Sequence, residues 1–452
     1  MNPTKRIIDF ITGHNYNDTP LEILEKAKTS IMDYTGVTLA GTMDRSSAIV
    51  RKTVREIGGV PQSGVWGSDF KTSAVLAALA NGTAAHALDY DDTNPAMMAH
   101  PSIQLLPALF SLGEYRHTKG EDILLAYVVG FEVGARLGRA LNPGLVANGW
   151  FPVGPLGIMM QTAANSHLMG LNQDQVKMAL GIAASMASGL RCNSGTMAKP
   201  LIAGTAASNS ILAVSLAAEG MTANQNALEN QFGFVENFGC KDKTRLETQV
   251  ESLGESFEIL NTGMSYKLYP CCAGTHASID CTLDIVTSHS INPDDIEEIN
   301  VSVSSGIKFL LIHPRPKTGA EAKFSLEYCV ARAILDGRIG LEQFTPDKIT
   351  DPSVQSLIKK VKPDYQDRHS LAVEIAVKMR DGTSFSSQVE KARGMLGSSL
   401  TREDLEQKFR RCAGSVLPDE EMDSTLERLR YFERVDDIAE FVAPFMKTET
   451  RS

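Results

Sequence analysis

The hydrophobic period of this 452-residue chain changes twice. Up to about Tyr266 apolar residues recur at helical spacing, as in Leu21, Leu24, Ala27 and Ile31. After Pro270 they alternate with polar residues, at Ile299, Val301 and Val303 and again at Leu371, Val373, Ile375, Val377 and Met379, the mark of half-buried strands. From Thr401 the helical spacing returns through Leu405, Phe409, Cys412 and Ala413. These changes predict a mainly α protein whose helical body is left and re-entered around an α+β insert. We place the helical domain at 1–266 and 394–452 and the α+β unit at 267–393. Such an excursion creates an interdomain cleft, a preferred place for a ligand.

Within the helical part, Thr19 reads as an N-cap with Pro20 at the first helical position, and a helix from Ser46 stops at Gly58 and Gly59. Further helices are predicted over 72–88, 121–141, 156–169, 173–188 and 205–219. A capping-box pattern from Thr222 to Gln225 predicts another over 223–238. Small residues crowd 74–85 and 183–189, which lets helix axes approach closely and implies a buried multi-helix core. In the α+β unit, 324–335 reads as a helix closed by Asp336 and Gly337, and Asp381 with Gly382 as a hairpin turn into a strand at 385–389. A last helix is predicted over 424–441.

A net charge of -10 provides no basic field for nucleic acid or an anionic membrane, so an anionic substrate has to be attracted locally. The longest apolar runs, such as 123–129 and 211–218, stop short of the roughly 18 residues of a membrane span. The first twelve residues mix Lys5, Arg6 and Asp9 with apolar ones and do not read as a secretory signal. Cys192, Cys240, Cys271, Cys272, Cys281, Cys329 and Cys412 form no C-x-x-C pair. A reducing cytoplasm suits them, and as small buried hydrophobes they are assigned no chemistry.

Three segments carry groups suited to chemistry. The first runs His86, Ala87, Leu88, Asp89, Tyr90, Asp91, Asp92, Thr93 and continues at His100, Pro101 and Ser102. His86 and Asp89 share a helix face at i, i+3, and the rest fall in the following loop. The same residues would serve as a solvated, helix-capping loop, and Asp89, Asp91, Asp92 and His100 include hard ligands for a divalent metal. The second segment holds Lys199 between two nearly uncharged helices, with Arg191 shortly before it. Lys199 reads either as a snorkelling surface lysine or as a cleft ammonium for a carboxylate, and Arg191 as a bidentate carboxylate clamp with the same alternative. The third has His276 at the domain junction, where a structural histidine and a functional one are both open readings.

In this order the segments resemble the signature of the MmgE/PrpD family, which includes 2-methylcitrate dehydratases, cis-aconitate decarboxylases and iminodisuccinate epimerases. The similarity spans nearly the whole chain and is most specific at 86–93 and 100–102, with support from 199–201, 269–272 with His276, and 323–329. It implies a large helical domain built from both chain ends, a smaller α+β lid, a homodimer and a site between the domains. It also implies that Asp89, Thr93, His100, Lys199 and His276 are active-site residues, and that no metal or organic cofactor is used. Two departures stand out: Phe151 and Ile202 occupy positions that often carry histidine in the family, which points to a less polar or smaller substrate.

The family's reactions make or break a C–H bond beside a carboxylate, so cationic donors must stabilise the carbanion as it forms. Lys199 and His276 are accordingly assigned to substrate carboxylates, with Arg191 as a further candidate. His100 is assigned to proton transfer at carbon, and Asp89 and Thr93 to orientation. The expected activity is a lyase acting on a small di- or tricarboxylate. An epimerase is the alternative, and a non-catalytic family member a third reading.

Overall fold

The computed structural model describes residues 2–239, 242, 244–367, 372–398 and 400–446; Cys240 and Leu371 lie outside the described residues. The fold is mainly α with a smaller α/β region. Ten helices lead from the N-terminus: α1 (Pro3–Gly13), α2 (Leu21–Gly41), α3 (Arg45–Ile57), α4 (Ala74–Ala87), α5 (Leu106–Arg116), α6 (Gly120–Leu141), α7 (Gly144–Ala147), α8 (Pro155–Leu168), α9 (Gln173–Met186) and α10 (Ala198–Ala218). Between α3 and α4 the short strands β1 (Ser63–Gly64) and β2 (Lys71–Thr72) pair antiparallel. The hydrophobic core of this part includes residues from Ile7 to Tyr266 and again from Leu405 to Phe445. The late helix Arg402–Ala413 lies along α2, where Gly36 backs directly onto Phe409.

A second core runs from Tyr269 to Ala392. It packs the helices His276–Ser288 and Leu326–Asp336 against a four-stranded sheet of β3 (Ile296–Ser304), β4 (Val361–Gln366), β5 (Val373–Met379) and β6 (Ser384–Val389). The order is β4-β3-β5-β6, with β3 and β4 parallel and the other pairs antiparallel. Val301 stands opposite Ile375, and Val377 opposite Phe385. Asp381 and Gly382 make the predicted turn, Gly382 taking a φ of 90°. Strand β4 was not anticipated: Pro363 argues against a central strand but is compatible with the sheet edge that β4 occupies.

Four predicted elements are corrected. Helix α10 starts at Ala198, not near Thr205, which puts Lys199 in its first turn; Pro200 is tolerated there because first-turn N–H groups have no helical partner. The 223–238 helix shrinks to Phe234–Phe238, since Asn224 and Asn230 side chains bond nearby backbone N–H groups and hold turns instead. The single helix at 424–441 is a helix Asp419–Arg430, a turn Phe432–Arg434 and a helix Ile438–Val442. The break keeps Phe432 buried, and its carbonyl lies so close to Gly120 that a Cβ there would stand 1.9 Å away. Pro20, not Thr19, caps α2; the Thr19 hydroxyl faces His14 and the Asn15 carbonyl.

Among the described residues, α10 alone is long and apolar enough to cross a membrane by length and composition, with a mean hydropathy of 1.6 over its most apolar window. Half of that window is buried, and the helix packs against α4, α8 and α9. Gly204, Ser208, Asn209 and Ser210 interrupt the run in sequence, so no long apolar stretch stands out there. The contact with α4 is close: a Cβ on Gly82 would lie 2.8 Å from Gly204 Cα, and one on Gly204 would lie 2.2 Å from the Leu79 carbonyl oxygen. His86 lies near the end of α4 and Lys199 in the first turn of α10, so this close contact joins the two helices that carry them. Gly204→Ala should force the helices apart and destabilise the chain by about 1–3 kcal/mol. Thermal unfolding by circular dichroism checks this, and an unchanged melting temperature would contradict the close packing.

Candidate active site

Helix α4 ends at Ala87, and the chain then turns through Asp89 with a left-handed φ of 53°, a conformation that aspartate tolerates better than most residues. The turn is pinned at both ends. Thr93 and Ser265 exchange backbone hydrogen bonds of 2.8 and 2.9 Å, and the Asn94 amide donates to the Gly263 carbonyl and the Thr262 hydroxyl. At His100 the chain is tied back again, its N–H donating to Gln104 and the Ser102 N–H donating to Asp92.

Three lysines converge on this turn. Lys199 Nζ, from the first turn of α10, donates to Asp89 Oδ1. Lys267 Nζ donates to Asp89 Oδ2 at 3.0 Å and to the Asp89 carbonyl at 2.7 Å. Lys323 Nζ donates to the Ala87 carbonyl at 3.1 Å. Burial alone would raise the Asp89 carboxyl, but the Lys199 and Lys267 ammoniums outweigh it and hold the group well below its ordinary range. Burial would likewise lower Lys267, and Asp89 and Asp91 reverse the effect and raise it. Lys323, more weakly opposed, is pushed down by burial to about 8.

Beside this triad, Asp91 faces two imidazoles. His86 Nδ1 lies 3.1 Å from both Asp91 oxygens. His100 Nδ1 is 2.8 Å from Asp91 Oδ2, close enough for an ion pair but not aligned for a hydrogen bond. Burial pushes His86 down to about 4 against the pull of Asp91, so the ring is neutral, donates from Nδ1 and leaves Nε2 without a partner among the described residues. Burial would raise Asp91, and the two histidines hold it low instead. His86 is fully buried, whereas the His100 side chain keeps 13% of its surface exposed. Phe151 stacks on His86 at 5.9 Å, and its ring and that of Phe324 flank Lys199 Nζ at 5.4 and 5.2 Å. Ile202, the other departure, packs on Gly154 and Gly189.

Asp89, His100 and Lys199 are thus brought together by direct contact or through neighbouring Asp91. Thr93 takes part through its backbone bridge. His276 stands in the second core, fully buried, its Nε2 3.3 Å from the Cys271 carbonyl and its ring edge-on to Tyr269. The Arg191 guanidinium donates to the carbonyls of Phe309 and Val146 and makes no ion pair among the described residues. From the sequence Asp91 was weighed only as a metal ligand, and Lys267 and Lys323 were given no role, nor His86 a separate one. A lysine at the domain junction was the available signal for Lys267.

His86, Asp89, Asp91 and His100 also present donor atoms within 4.8 Å of one another, a spacing a metal ion can use. The chemistry of the set argues otherwise: both Asp89 oxygens bond ammoniums, and a divalent cation there would be repelled by Lys199 and Lys267.

Asp92 differs from its neighbours. Fully buried and bonded by Ser102, which in turn faces Tyr127, it is pushed up to about 8 by burial and by Asp33. The folded chain therefore keeps a proton that the unfolded chain releases near pH 4. The stabilising contribution is complete below that value, fades as pH rises and is gone above about 8. Asp92→Asn, neutral throughout, should gain on the wild type as pH rises over this window. Paired melting curves check it, and a pH-independent difference would contradict the neutral carboxyl.

The MmgE/PrpD N-terminal domain matches residues 5–247 and the MmgE/PrpD C-terminal domain residues 269–430. The cis-aconitate decarboxylase of Homo sapiens is 30% identical over 92% of this chain and 88% of its own length. That of Mus musculus is 29% identical over 96% and 91%, and that of Aspergillus terreus 28% identical over 96% and 94%.

Proposed function

The chain belongs to the MmgE/PrpD family, and from that premise we propose that it is a lyase that decarboxylates cis-aconitate or a close tricarboxylate relative. The observation that carries the reading is the buried Asp89, Lys199 and Lys267 triad set against the Asp91 and His100 pair. It offers fixed cations for carboxylates beside a group able to move a proton. The names of the relatives support decarboxylation over the epimerase alternative. The retained polar cluster speaks against a non-catalytic member.

In cis-aconitate the bond from the methylene carbon to its carboxylate breaks and carbon dioxide leaves. The electron pair shifts through the double bond to the carbon beside a second carboxylate, and that carbon takes a proton. The product is a five-carbon unsaturated dicarboxylate. Lys199 and Lys267 stabilise the retained carboxylate as negative charge spreads toward it, in a site where Phe151 and Phe324 keep water away from the Lys199 ammonium. His100, the partly exposed imidazole beside Asp91, delivers the proton. Asp89 holds the ammoniums in place, and Thr93 fixes the turn through its backbone. The carboxylate role first given to His276 and Arg191 passes to Lys267 in this conformation, leaving them to shape the surrounding segments. The proposal includes a homodimer: Leu201 and Leu212, exposed on one face of α10, are apolar surface that a second copy would cover.

Proton NMR of cis-aconitate with the purified protein in deuterated water should show loss of the substrate's single vinylic signal, two new vinylic signals from the terminal alkene and a monodeuterated methylene at the protonated carbon. Deuterium exchange without carbon dioxide release would favour an epimerase. Lys199→Met should cut kcat/KM by about a hundredfold or more with the fold retained. Wild-type kinetics in that variant would remove Lys199 from the site. In His100→Gln, turnover should collapse with substrate binding largely retained, and calorimetry beside the NMR assay separates the two. Activity should also survive dialysis against EDTA, whereas loss followed by rescue with a divalent ion would turn the acidic cluster into a metal site.

A further inference from the structure

We propose that Lys323 is the ammonium that receives the second carboxylate of the substrate. This rests on the decarboxylase reading above only for the substrate's identity; the anion site itself stands on the geometry. Lys323 follows the short helix Gly319–Ala322 and is 8% exposed. Its Nζ donates to the Ala87 carbonyl, two residues before Asp89, while the next residue, Phe324, covers the Lys199 ammonium. Lys323 and Lys199 therefore meet the same turn, and a small polycarboxylate can span them.

The counter-charges are distributed unevenly. Lys199 and Lys267 share Asp89, and Lys408, buried behind the turn, has Asp33 at 2.6 Å. Among the described residues Lys323 has no carboxylate within ion-pair distance. Of its three N–H donors one is used, by Ala87, in surroundings from which water is largely excluded. A buried ammonium in that state is the natural receiver of an incoming carboxylate. The charged and titratable groups that face it are Asp44 from the turn before α3, Asp89, Lys199 from α10 and Cys271 from the segment leading to His276. They do not cancel the burial penalty, which leaves the Lys323 amine only just charged at neutral pH. A bound carboxylate restores the charge, so binding takes up a proton and weakens as the amine loses its own above about pH 8.

The test is calorimetric binding of propane-1,2,3-tricarboxylate, a saturated analogue with no double bond to accept electrons, measured beside carbon dioxide release from cis-aconitate. Lys323→Met should weaken binding about ten- to a hundredfold near neutral pH and raise KM more than it lowers kcat. Lys323→Arg, which keeps its proton, should retain near-wild-type affinity and remove the weakening that the wild type shows between about pH 7 and about pH 9. Wild-type affinity in a folded Lys323→Met overturns the assignment and leaves the decarboxylase reading intact. Analogue binding that depends on Lys323, with no carbon dioxide released by the wild type, upholds the anion site and overturns that reading. Should Lys323→Met fail to fold, a wild-type affinity that is flat across the same pH range, or an arginine variant that follows the wild-type pH profile, overturns the assignment.

Discussion

The ion triad of Asp89 with Lys199 and Lys267 is the interaction on which the rest of this molecule's polar interior depends. All three side chains are almost fully buried, so none can exchange its partner for water. Removing Asp89 would strand two ammoniums at a cost of about 3–5 kcal/mol, while removing one lysine would leave the other to hold the carboxylate. The triad also joins three distant pieces of chain: the turn after α4, the first turn of α10 and the segment leading into the second core. The left-handed backbone at Asp89 is held by the same contact, because Lys267 bonds both the carbonyl and the carboxylate of that residue.

Within four positions two carboxyl groups are ionised and a third is held neutral. Asp89 is ionised by ammoniums, Asp91 by imidazoles, and Asp92, facing a serine hydroxyl and the like charge of Asp33, is held neutral up to about 8. Their alternation follows from direction. Asp89 and Asp91 face cations or ring N–H groups, while Asp92 turns to Ser102 and the buried Tyr127 behind it. The protonated carboxyl thus ties the His100 loop to the rest of the turn without adding a third negative charge beside Asp89 and Asp91.

Much of this was legible from residue patterns. The small residues of α4 announced a close helix contact, and the spacing of Val373, Ile375 and Val377 gave the strand that pairs with β3. The cluster at His86 to Thr93 stood out by density of polar groups after an alanine-rich helix. What could not be read were partners far apart in sequence. Lys267 and Lys323 are ordinary lysines locally, and only the tertiary fold turns them toward Asp89 and Ala87, 178 and 236 residues away respectively. The Arg191 guanidinium suits a carboxylate, and in the folded chain it donates to the backbone carbonyls of Phe309 and Val146. Lys199 was placed between two helices, whereas it lies in the first turn of α10, where the proline at 200 interrupts nothing.

The aromatic walls set the terms on which a substrate can displace these contacts. A substrate carboxylate and the Asp89 carboxylate carry the same charge, so sharing Lys199 between them changes the Coulomb energy little. Selection then falls to what surrounds the ammonium. Phe151 offers no hydrogen bond where it lies between Lys199 and His86, and a substrate hydroxyl or carboxylate pressed against it would lose its hydration at a cost of about 1–3 kcal/mol. A planar, unsaturated carbon edge would lose nothing there. On the proposed reading the wall would favour an alkene over its hydrated, hydroxyl-bearing counterpart, with the polar ends of that substrate directed toward the lysines on either side of the turn.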